Sequence, residues 1–152
     1  MFFVGSCKVG TESDFDSVAA QVAERLPAVH CPLVGTVLVI DDDPVISDLV
    51  RMVLEDAGFV VTTASALADV PKGIDADCII ADLVGLAVYS TDEARRSLAA
   101  VRKRFPARPV IVVTAHAAAA RDRNILGVTG VIVKPFDMDE LVSSVRRATK
   151  AD

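Results

Sequence analysis

In the sequence Val37-Leu38-Val39-Ile40-Asp41-Asp42-Asp43-Pro44, an unbroken run of four aliphatic residues stops at three carboxylates and a proline. The run lacks a polar alternate face, which predicts a strand covered by other elements on both sides. Asp43 can cap a following helix, Pro44 suits its first position, and Gly58 follows its predicted end. These residues predict a buried strand, an acidic turn and an amphipathic helix in direct succession.

Short apolar runs and helical patterns alternate along the chain from Thr36 onward. Further strands are predicted over residues 59–63, 78–81, 110–113 and 131–133. Such alternation is typical of βαβ units, in which helices cover both faces of a parallel sheet. We therefore predict an α/β fold with a doubly wound five-stranded parallel sheet, and we take for it the strand order 2-1-3-4-5 that is common in such folds.

Four more helices are predicted, and most of them have capping or stopping residues. The second is short because residues 65–73 contain Pro71. The third begins at a sequence that resembles a capping box, the fourth follows an alanine run and the fifth ends in basic residues. The residues that mark these helices are Ser90 and Glu93 for the third, Gly127 for the fourth, and Asp137 and Glu140 for the fifth.

Residues 1–35 stand apart from this alternation. Apolar residues at helical spacing over residues 15–26 predict one amphipathic helix, and Pro27, Pro32 and Gly35 indicate a linker. We expect an N-terminal helical extension over 1–35 and one domain over 36–152. Whether the helix packs on its own domain or docks to a partner stays open.

Composition excludes several classes of protein. The 152 residues carry 16 basic and 21 acidic side chains, a net charge of −5, and no tryptophan, so nucleic acid is not the expected partner. The apolar runs are far shorter than the roughly 20 residues that span a membrane. Three cysteines without CxxC spacing indicate neither a disulfide framework nor a zinc site. We expect a cytoplasmic protein.

Polar residues collect where the predicted strands end. The three carboxylates of residues 41–43 follow the first strand, and Asp82, Thr114 and Lys134 follow the third, fourth and fifth. In open parallel sheets ligands bind beyond the carboxyl ends, where strand order reverses. We expect Asp41, Asp42 and Asp82 to converge on one crevice, with Thr114 and Lys134 along its rim.

The chemistry of this set points to a metal and a phosphoryl group. Clustered carboxylates repel one another unless a cation or a shared proton relieves them, and oxygen ligands suit Mg²⁺, or Mn²⁺, far better than zinc. A divalent ion, an ammonium and a hydroxyl around one carboxylate can surround a transferring phosphoryl group. The carboxylate would then be the nucleophile.

From about Thr36 to Thr149, roughly three-quarters of the chain, the sequence resembles a receiver domain of a bacterial two-component response regulator. The resemblance is carried by residues 37–44 and by Ile79-Ile80-Ala81-Asp82-Leu83, Val112-Val113-Thr114-Ala115 and Val133-Lys134-Pro135-Phe136. It implies a flavodoxin-like receiver fold. It also implies a signalling protein that is not an enzyme beyond self-phosphorylation from a phosphohistidine donor and slow self-dephosphorylation.

The resemblance implies a role for each site residue. Asp82 accepts the phosphoryl group from a histidine kinase or phosphotransfer protein, and Mg²⁺ is held by Asp41, Asp42, Asp82 and the backbone carbonyl of Val84. Thr114 turns its hydroxyl to a phosphoryl oxygen, and Lys134 pairs with the phosphoryl charge. The bond between Lys134 and Pro135 is expected to be cis.

The expected output is contact with an unknown downstream protein by a stand-alone receiver. The surface of the fourth helix, fifth strand and fifth helix is expected to change its affinity for that partner. The sequence names neither the partner nor the oligomeric state, so a homodimer stays open. The basic residues are expected to form a solvated face: Arg95, Arg96, Arg102, Lys103, Arg104 and Arg108.

The sequence departs from the family pattern at three places. The loop after the acceptor has the sequence Val84-Gly85-Leu86-Ala87-Val88-Tyr89 instead of the usual one. Val131 stands three positions before the lysine, where the family often has an aromatic residue. The second predicted helix is also short. An apolar Val84 positions no attacking water, which predicts slow hydrolysis of the acyl phosphate. His116 is interpreted as a solvated residue at a helix start.

Two other classes compete with a phosphorylated receiver. A pseudo-receiver would keep the fold as an interaction module without phosphate, consistent with the altered loop and Val131. A haloacid dehalogenase-like phosphotransferase would use Asp41 and Asp43, but it leaves Asp82 unexplained and needs a further acidic pair beyond the lysine.

Overall fold

A computed structural model describes residues 34–83 and 88–150 of the chain. Strands and helices alternate through these residues as the sequence predicts. The strands are β1 (Gly35–Ile40), β2 (Phe59–Ala64), β3 (Cys78–Ala81), β4 (Val110–Thr114) and β5 (Gly130–Val133). The helices are α1 (Pro44–Asp56), α2 (Thr91–Arg104), α3 (Ala118–Arg121), α4 (Arg123–Leu126) and α5 (Met138–Lys150), with a 3₁₀ turn at Leu67–Asp69.

The five strands form one parallel sheet in the order β2-β1-β3-β4-β5, which confirms the predicted strand order. The order reverses beside β1, because the chain leaves β1 for β2 on one side and then returns to β3 on the other. Ile40 pairs with Ala81, and Thr114 pairs with Val133. The residues that follow β1 and β3 are therefore neighbours at the carboxyl edge of the sheet.

Alternate residues of each strand enter two separate cores, one on each face of the sheet. Leu38, Ile79 and Val112 pack with α2 and the residues around α3 and α4, whereas their chain neighbours pack with α1 and α5. Both faces are apolar because both are covered. This arrangement confirms the doubly wound α/β fold.

The predicted cap of α1 is present. The Asp43 carboxylate accepts hydrogen bonds from the backbone N–H groups of Val45 at 2.9 Å and Ile46 at 3.4 Å, and Pro44 occupies the first turn. The predicted capping box of α2 is wrong. Ser90 stands at the N-cap without a side-chain cap bond.

Two predicted helices differ in the structure. The second is only a 3₁₀ turn, since Pro71 follows it closely and leaves no room for α-helical bonds. The fourth is interrupted at Asp122, which divides it into α3 and α4. Gly127 ends α4 with φ of 62°, a left-handed backbone that glycine adopts at little cost, as predicted.

The prediction of a solvated basic face is wrong for part of the set. Arg102 donates to the carbonyls of Leu126 and Gly127 at the end of α4. Arg104 donates to the carbonyls of Leu67, Val70 and Pro71 at 2.7, 2.6 and 2.9 Å. Arg108 pairs with Asp75. These guanidinium groups satisfy carbonyls and carboxylates of neighbouring loops, which periodicity along one helix does not reveal.

Some expectations lie outside the described residues, namely the amphipathic helix before residue 34 and the backbone of Val84. The sheet begins at Gly35, so the last residue of the predicted linker already belongs to β1. Within the residues that the structure describes, no helix is long and apolar enough to cross a membrane.

Arg104→Ala is expected to lower the free energy of unfolding by about 1–3 kcal/mol, because three carbonyls lose a charged donor. Lys103→Ala, which truncates the exposed neighbour of the same charge, is expected to change it by less than about 0.5 kcal/mol. Urea unfolding of both variants measures the difference. Equal effects would show that Arg104 does not hold the 3₁₀ turn.

Candidate metal and phosphoryl site

Three carboxylates meet at the carboxyl edge of the sheet. Asp41 directly follows β1 and Asp82 directly follows β3, and the Asp82 N–H donates to the Ile40 carbonyl at 2.9 Å. One oxygen from each of Asp41, Asp42 and Asp82 lies within 4.8 Å of the other two. Asp41 is buried, Asp82 is partly buried and Asp42 is exposed. A cation could reach this cluster from the solvent side, beside Asp42.

Lys134 reaches the cluster from the end of β5, the strand at the lateral edge of the sheet. Its Nζ lies 3.0 Å from Asp41 Oδ2 and 3.1 Å from Asp82 Oδ2. The residue follows β5, where its backbone N–H donates to the Thr114 carbonyl at 2.8 Å, and its bond to Pro135 is cis as expected. One ammonium thus bridges the carboxylates that follow two different strands.

The charges of this site shift the pKa values of its groups in ways that burial and pairing explain. Burial raises the pKa of Asp82, as does the Asp41 charge, and together they outweigh the lowering by Lys134. Burial alone would lower the pKa of Lys134, but hydrogen bonds and charges from Asp41 and Asp82 raise it overall. Lys134 is therefore held as an ammonium, while ionised Asp82 carries an electrostatic cost.

The three consecutive carboxylates have different tasks. Asp41 accepts a hydrogen bond from the Asp43 N–H at 2.9 Å through its other oxygen, which fixes the turn. Asp42 turns to the exposed side of the cluster. Asp43 caps α1 and is not a member of the cluster. This division disagrees with the dehalogenase-like interpretation, which assigns chemistry to Asp43.

Thr114 ends β4 beside Lys134, at the carboxyl edge of the sheet. The residue is completely buried, and its Oγ1 accepts a hydrogen bond from the His116 N–H at 3.1 Å. The hydroxyl is drawn into this short turn because threonine oxygens readily bond to a backbone N–H two residues on. The structure thus brings Asp41, Asp42, Asp82 and Lys134 together, and it places Thr114 next to Lys134 at the same edge of the sheet.

A second polar cluster was missed by sequence reasoning. Tyr89 and Thr91 donate hydroxyl hydrogen bonds to Asp122, and the ring of His116 lies 6.0 Å from that of Tyr89. His116 is half-buried, so the prediction of a solvated histidine is wrong. No local periodicity links residues about thirty positions apart, and the only available signal was that Tyr89 is the single tyrosine.

Comparison with known proteins identifies the class of this domain. The response regulator receiver domain family matches residues 37–146, more than half of the chain. The chain therefore belongs to the response regulator receiver domains, a family of signalling domains rather than enzymes. This match overturns the haloacid dehalogenase-like alternative.

Individual relatives agree with that identification. The chain is 35% identical over 123 residues to the probable transcriptional regulatory protein TcrX of Mycobacterium tuberculosis, covering 73% of this chain and 48% of that protein. It is 29% identical over 121 residues to the transcriptional regulatory protein FixJ of Bradyrhizobium diazoefficiens, covering 76% and 57%. The chain thus spans about half the length of these relatives.

Solved structures share the fold. A response regulator from Thermotoga maritima superimposes with a TM-score of 0.62 at 25% identity, covering 76% of this chain and 98% of that one. The chemotaxis response regulator CheY4 of Vibrio cholerae gives a TM-score of 0.58 at 26% identity, covering 74% and 97%. These matches cover nearly the whole of each solved domain, so the five-stranded sheet is that of the receiver fold.

Asp82→Asn is expected to raise the free energy of unfolding at pH 7 in metal-free buffer, by less than about 1 kcal/mol because solvent partly screens this carboxylate. The pKa of Asp82 is raised on folding, so the folded chain binds this proton more tightly than the unfolded chain does. The stability that protonation of Asp82 contributes is fully present below the ordinary pKa of 3.8. It is lost as the pH rises through the raised pKa that Asp82 has in the folded chain. The advantage of the variant should therefore grow from acid to neutral pH.

Urea unfolding at several pH values with excess chelator measures this dependence. Asp42→Asn is the matched control, because it removes an exposed carboxylate of the same cluster and solvent screens its charge. We expect the control to have the smaller effect. If Asp82→Asn is less stable than wild type at pH 7, the electrostatic description of the site is wrong.

Proposed function

We propose that this domain is a phosphoacceptor in two-component signal transduction and takes a phosphoryl group onto Asp82 from a histidine kinase or phosphotransfer protein. The observation that carries the proposal is the placement of Lys134 Nζ 3.0 Å from Asp41 and 3.1 Å from Asp82 within the acidic cluster. Three carboxylates with one ammonium leave two negative charges, which a divalent cation balances. The same cation and ammonium suit an incoming phosphoryl group.

The donor set fits Mg²⁺, with Mn²⁺ as an alternative, because it consists of oxygen atoms that lie close together with one side open to water. We assign Asp41, Asp42 and Asp82 to hold it, with the backbone carbonyl of Val84 as a further ligand implied by family resemblance. When bound, the cation would offset the negative charge of the carboxylates and so favour the approach of a phosphoryl group.

The transfer forms one bond and breaks another. An Asp82 carboxylate oxygen bonds to phosphorus while the phosphorus–nitrogen bond of the donor phosphohistidine breaks, and the leaving imidazole nitrogen takes up a proton. Lys134, whose charge already faces Asp82, turns to the phosphoryl oxygens. Thr114 donates its hydroxyl to another of them. The product is an acyl phosphate on Asp82.

The output is contact with a downstream protein rather than further chemistry. A groove of about 510 Å³ lies on the predicted output surface, between α3, α4, β5 and α5, and is lined in part by Arg123, Val131 and Arg147. If phosphorylation shifts the equilibrium between two conformations of this surface, the affinity of the surface for a partner changes. The pseudo-receiver alternative keeps the surface but dispenses with the phosphoryl group.

Incubation with Mg²⁺ and a small acyl- or amido-phosphate is expected to add one phosphoryl group to the wild-type chain and none to Asp82→Asn. Intact mass measures the gain, and Asp48→Asn is the control, because it removes an exposed carboxylate that pairs with Arg51. The acyl phosphate is expected to hydrolyse slowly, because the apolar side chain of Val84 has no group that could hydrogen-bond to an attacking water. A half-life of seconds would contradict that expectation, and a wild-type chain without mass gain or Mg²⁺ binding would favour the pseudo-receiver.

Saturating Mg²⁺ is expected to stabilise the wild-type chain, by about 2.7 kcal/mol when its concentration is a hundred times the dissociation constant. Asp42→Asn should lose much of this gain, because it removes a ligand from an exposed position where the fold does not depend on it. Thermal unfolding with and without Mg²⁺ compares the two, again with Asp48→Asn as control. An equal Mg²⁺ effect in Asp42→Asn would exclude Asp42 as a ligand.

A further inference from the structure

One carboxylate outside the acidic site joins two segments that are distant in sequence. Asp122 Oδ2 accepts a hydrogen bond from the Tyr89 hydroxyl at 2.7 Å and another from the Thr91 hydroxyl at 2.6 Å. Asp122 is also the residue at which the helix is interrupted between α3 and α4, with φ of −92° and ψ of 7°. The junction of these helices is therefore tied to the segment that enters α2.

The same cluster reaches the end of β4 through His116. The His116 and Tyr89 ring centroids are 6.0 Å apart with the rings tilted by 36°. The backbone N–H of His116 donates to the buried hydroxyl of Thr114 at 3.1 Å. A continuous series of contacts thus runs from Thr114 through His116 and Tyr89 to Asp122.

The protonation states of this cluster match its hydrogen bonds. Bonds from Thr91 and then Tyr89 lower the pKa of Asp122, so the acceptor is ionised. Burial, with the bond to Asp122, raises the pKa of Tyr89, so the donor keeps its proton. Hydrogen bonds to a charged acceptor are stronger than neutral ones, which makes Asp122 an effective anchor.

We propose that Tyr89, Thr91 and Asp122 form a latch that couples the Thr114 hydroxyl to the junction of α3 and α4. When Thr114 turns toward a phosphoryl group on Asp82, its bond to the His116 N–H weakens. The His116 ring then shifts against Tyr89, which loosens the bond between Tyr89 and Asp122. Val131 offers no aromatic ring for this task, and the latch uses the single tyrosine of the sequence instead.

The latch assigns positioning roles to Tyr89 and Asp122 and rests on the proposed function for its phosphoryl-dependent step. Asp122 lies between Arg121 and Arg123, and Arg123 lines the groove of the output surface. Release of Asp122 would therefore move charges that a partner protein meets. Only a few hydrogen bonds separate the closed latch from the released one, so the free energy difference between the two states is small and the change is reversible.

Amide hydrogen exchange of residues 118–127, measured on the full chain, tests the latch. Tyr89→Phe and Asp122→Asn are each expected to raise exchange there about two- to tenfold, because each weakens or removes a hydrogen bond that restrains the junction. Asp75→Asn is the matched control, since its carboxylate also accepts side-chain hydrogen bonds, from Arg108, but belongs to another loop. Exchange unchanged from wild type in both latch variants would overturn the proposal.

A double-mutant cycle tests the coupling without any phosphoryl group. Thr114→Ala removes the acceptor of the His116 N–H, whereas Thr114→Ser keeps it. If the latch transmits this contact, the effects of Thr114→Ala and Tyr89→Phe on exchange at residues 118–127 are not independent, and Thr114→Ser behaves like wild type. Independent effects of the two substitutions would contradict the coupling.

A phosphoryl donor with Mg²⁺ supplies the remaining test. Exchange at residues 118–127 is expected to rise in wild type and to change little further in Asp122→Asn, while intact mass records phosphorylation in the same samples. Phosphorylation with equal exchange responses in both proteins would overturn the latch. Without a mass gain the proposed function fails, but the double-mutant cycle still decides whether the latch exists.

Discussion

The site depends on the parallel register that pairs Ile40 with Ala81, because this pairing sets the carboxylates of Asp41 and Asp82 side by side. Two unit charges about 4 Å apart repel by roughly 4 kcal/mol at the effective dielectric constant near a protein surface. Lys134 offsets much of that repulsion through contacts with both carboxylates. A sheet built for stability alone would not need this arrangement.

Several features of the fold hold the surroundings of the site in place. At the opposite edge of the sheet, the Asp77 carboxylate accepts hydrogen bonds from the N–H and the hydroxyl of Thr36, which ties the starts of β1 and β3 together. From α2, Arg102 and Arg104 reach in two directions to loop carbonyls. These contacts tie the loops on both sides of α2 to that helix.

The acidic cluster and the Asp122 cluster use the same physical device in different settings. In each, one charged group accepts or donates bonds from segments far apart in sequence, as Lys134 does for Asp41 and Asp82 and as Asp122 does for Tyr89 and Thr91. The backbone around Thr114 lies between them, bonded to Lys134 through its carbonyl and to His116 through its hydroxyl. Thr114 is therefore in contact with one residue of the acidic cluster and with the histidine that lies beside Tyr89.

The sequence by itself determined the strands and the residues that follow them at the carboxyl edge, because aliphatic runs and abrupt polar ends are local signals. A parallel sheet of the common strand order then makes those residues neighbours. Asp41, Asp42, Asp82 and Lys134 were predicted together for this reason. Only the tertiary structure decided the buried hydroxyl of Thr114, the interruption at Asp122 and the loop contacts of Arg102 and Arg104. The bonds of Asp122, Arg102 and Arg104 join segments that are distant in sequence, so they leave no periodicity in the chain that a sequence pattern could register. The burial of Thr114 depends on the elements that pack around the end of β4.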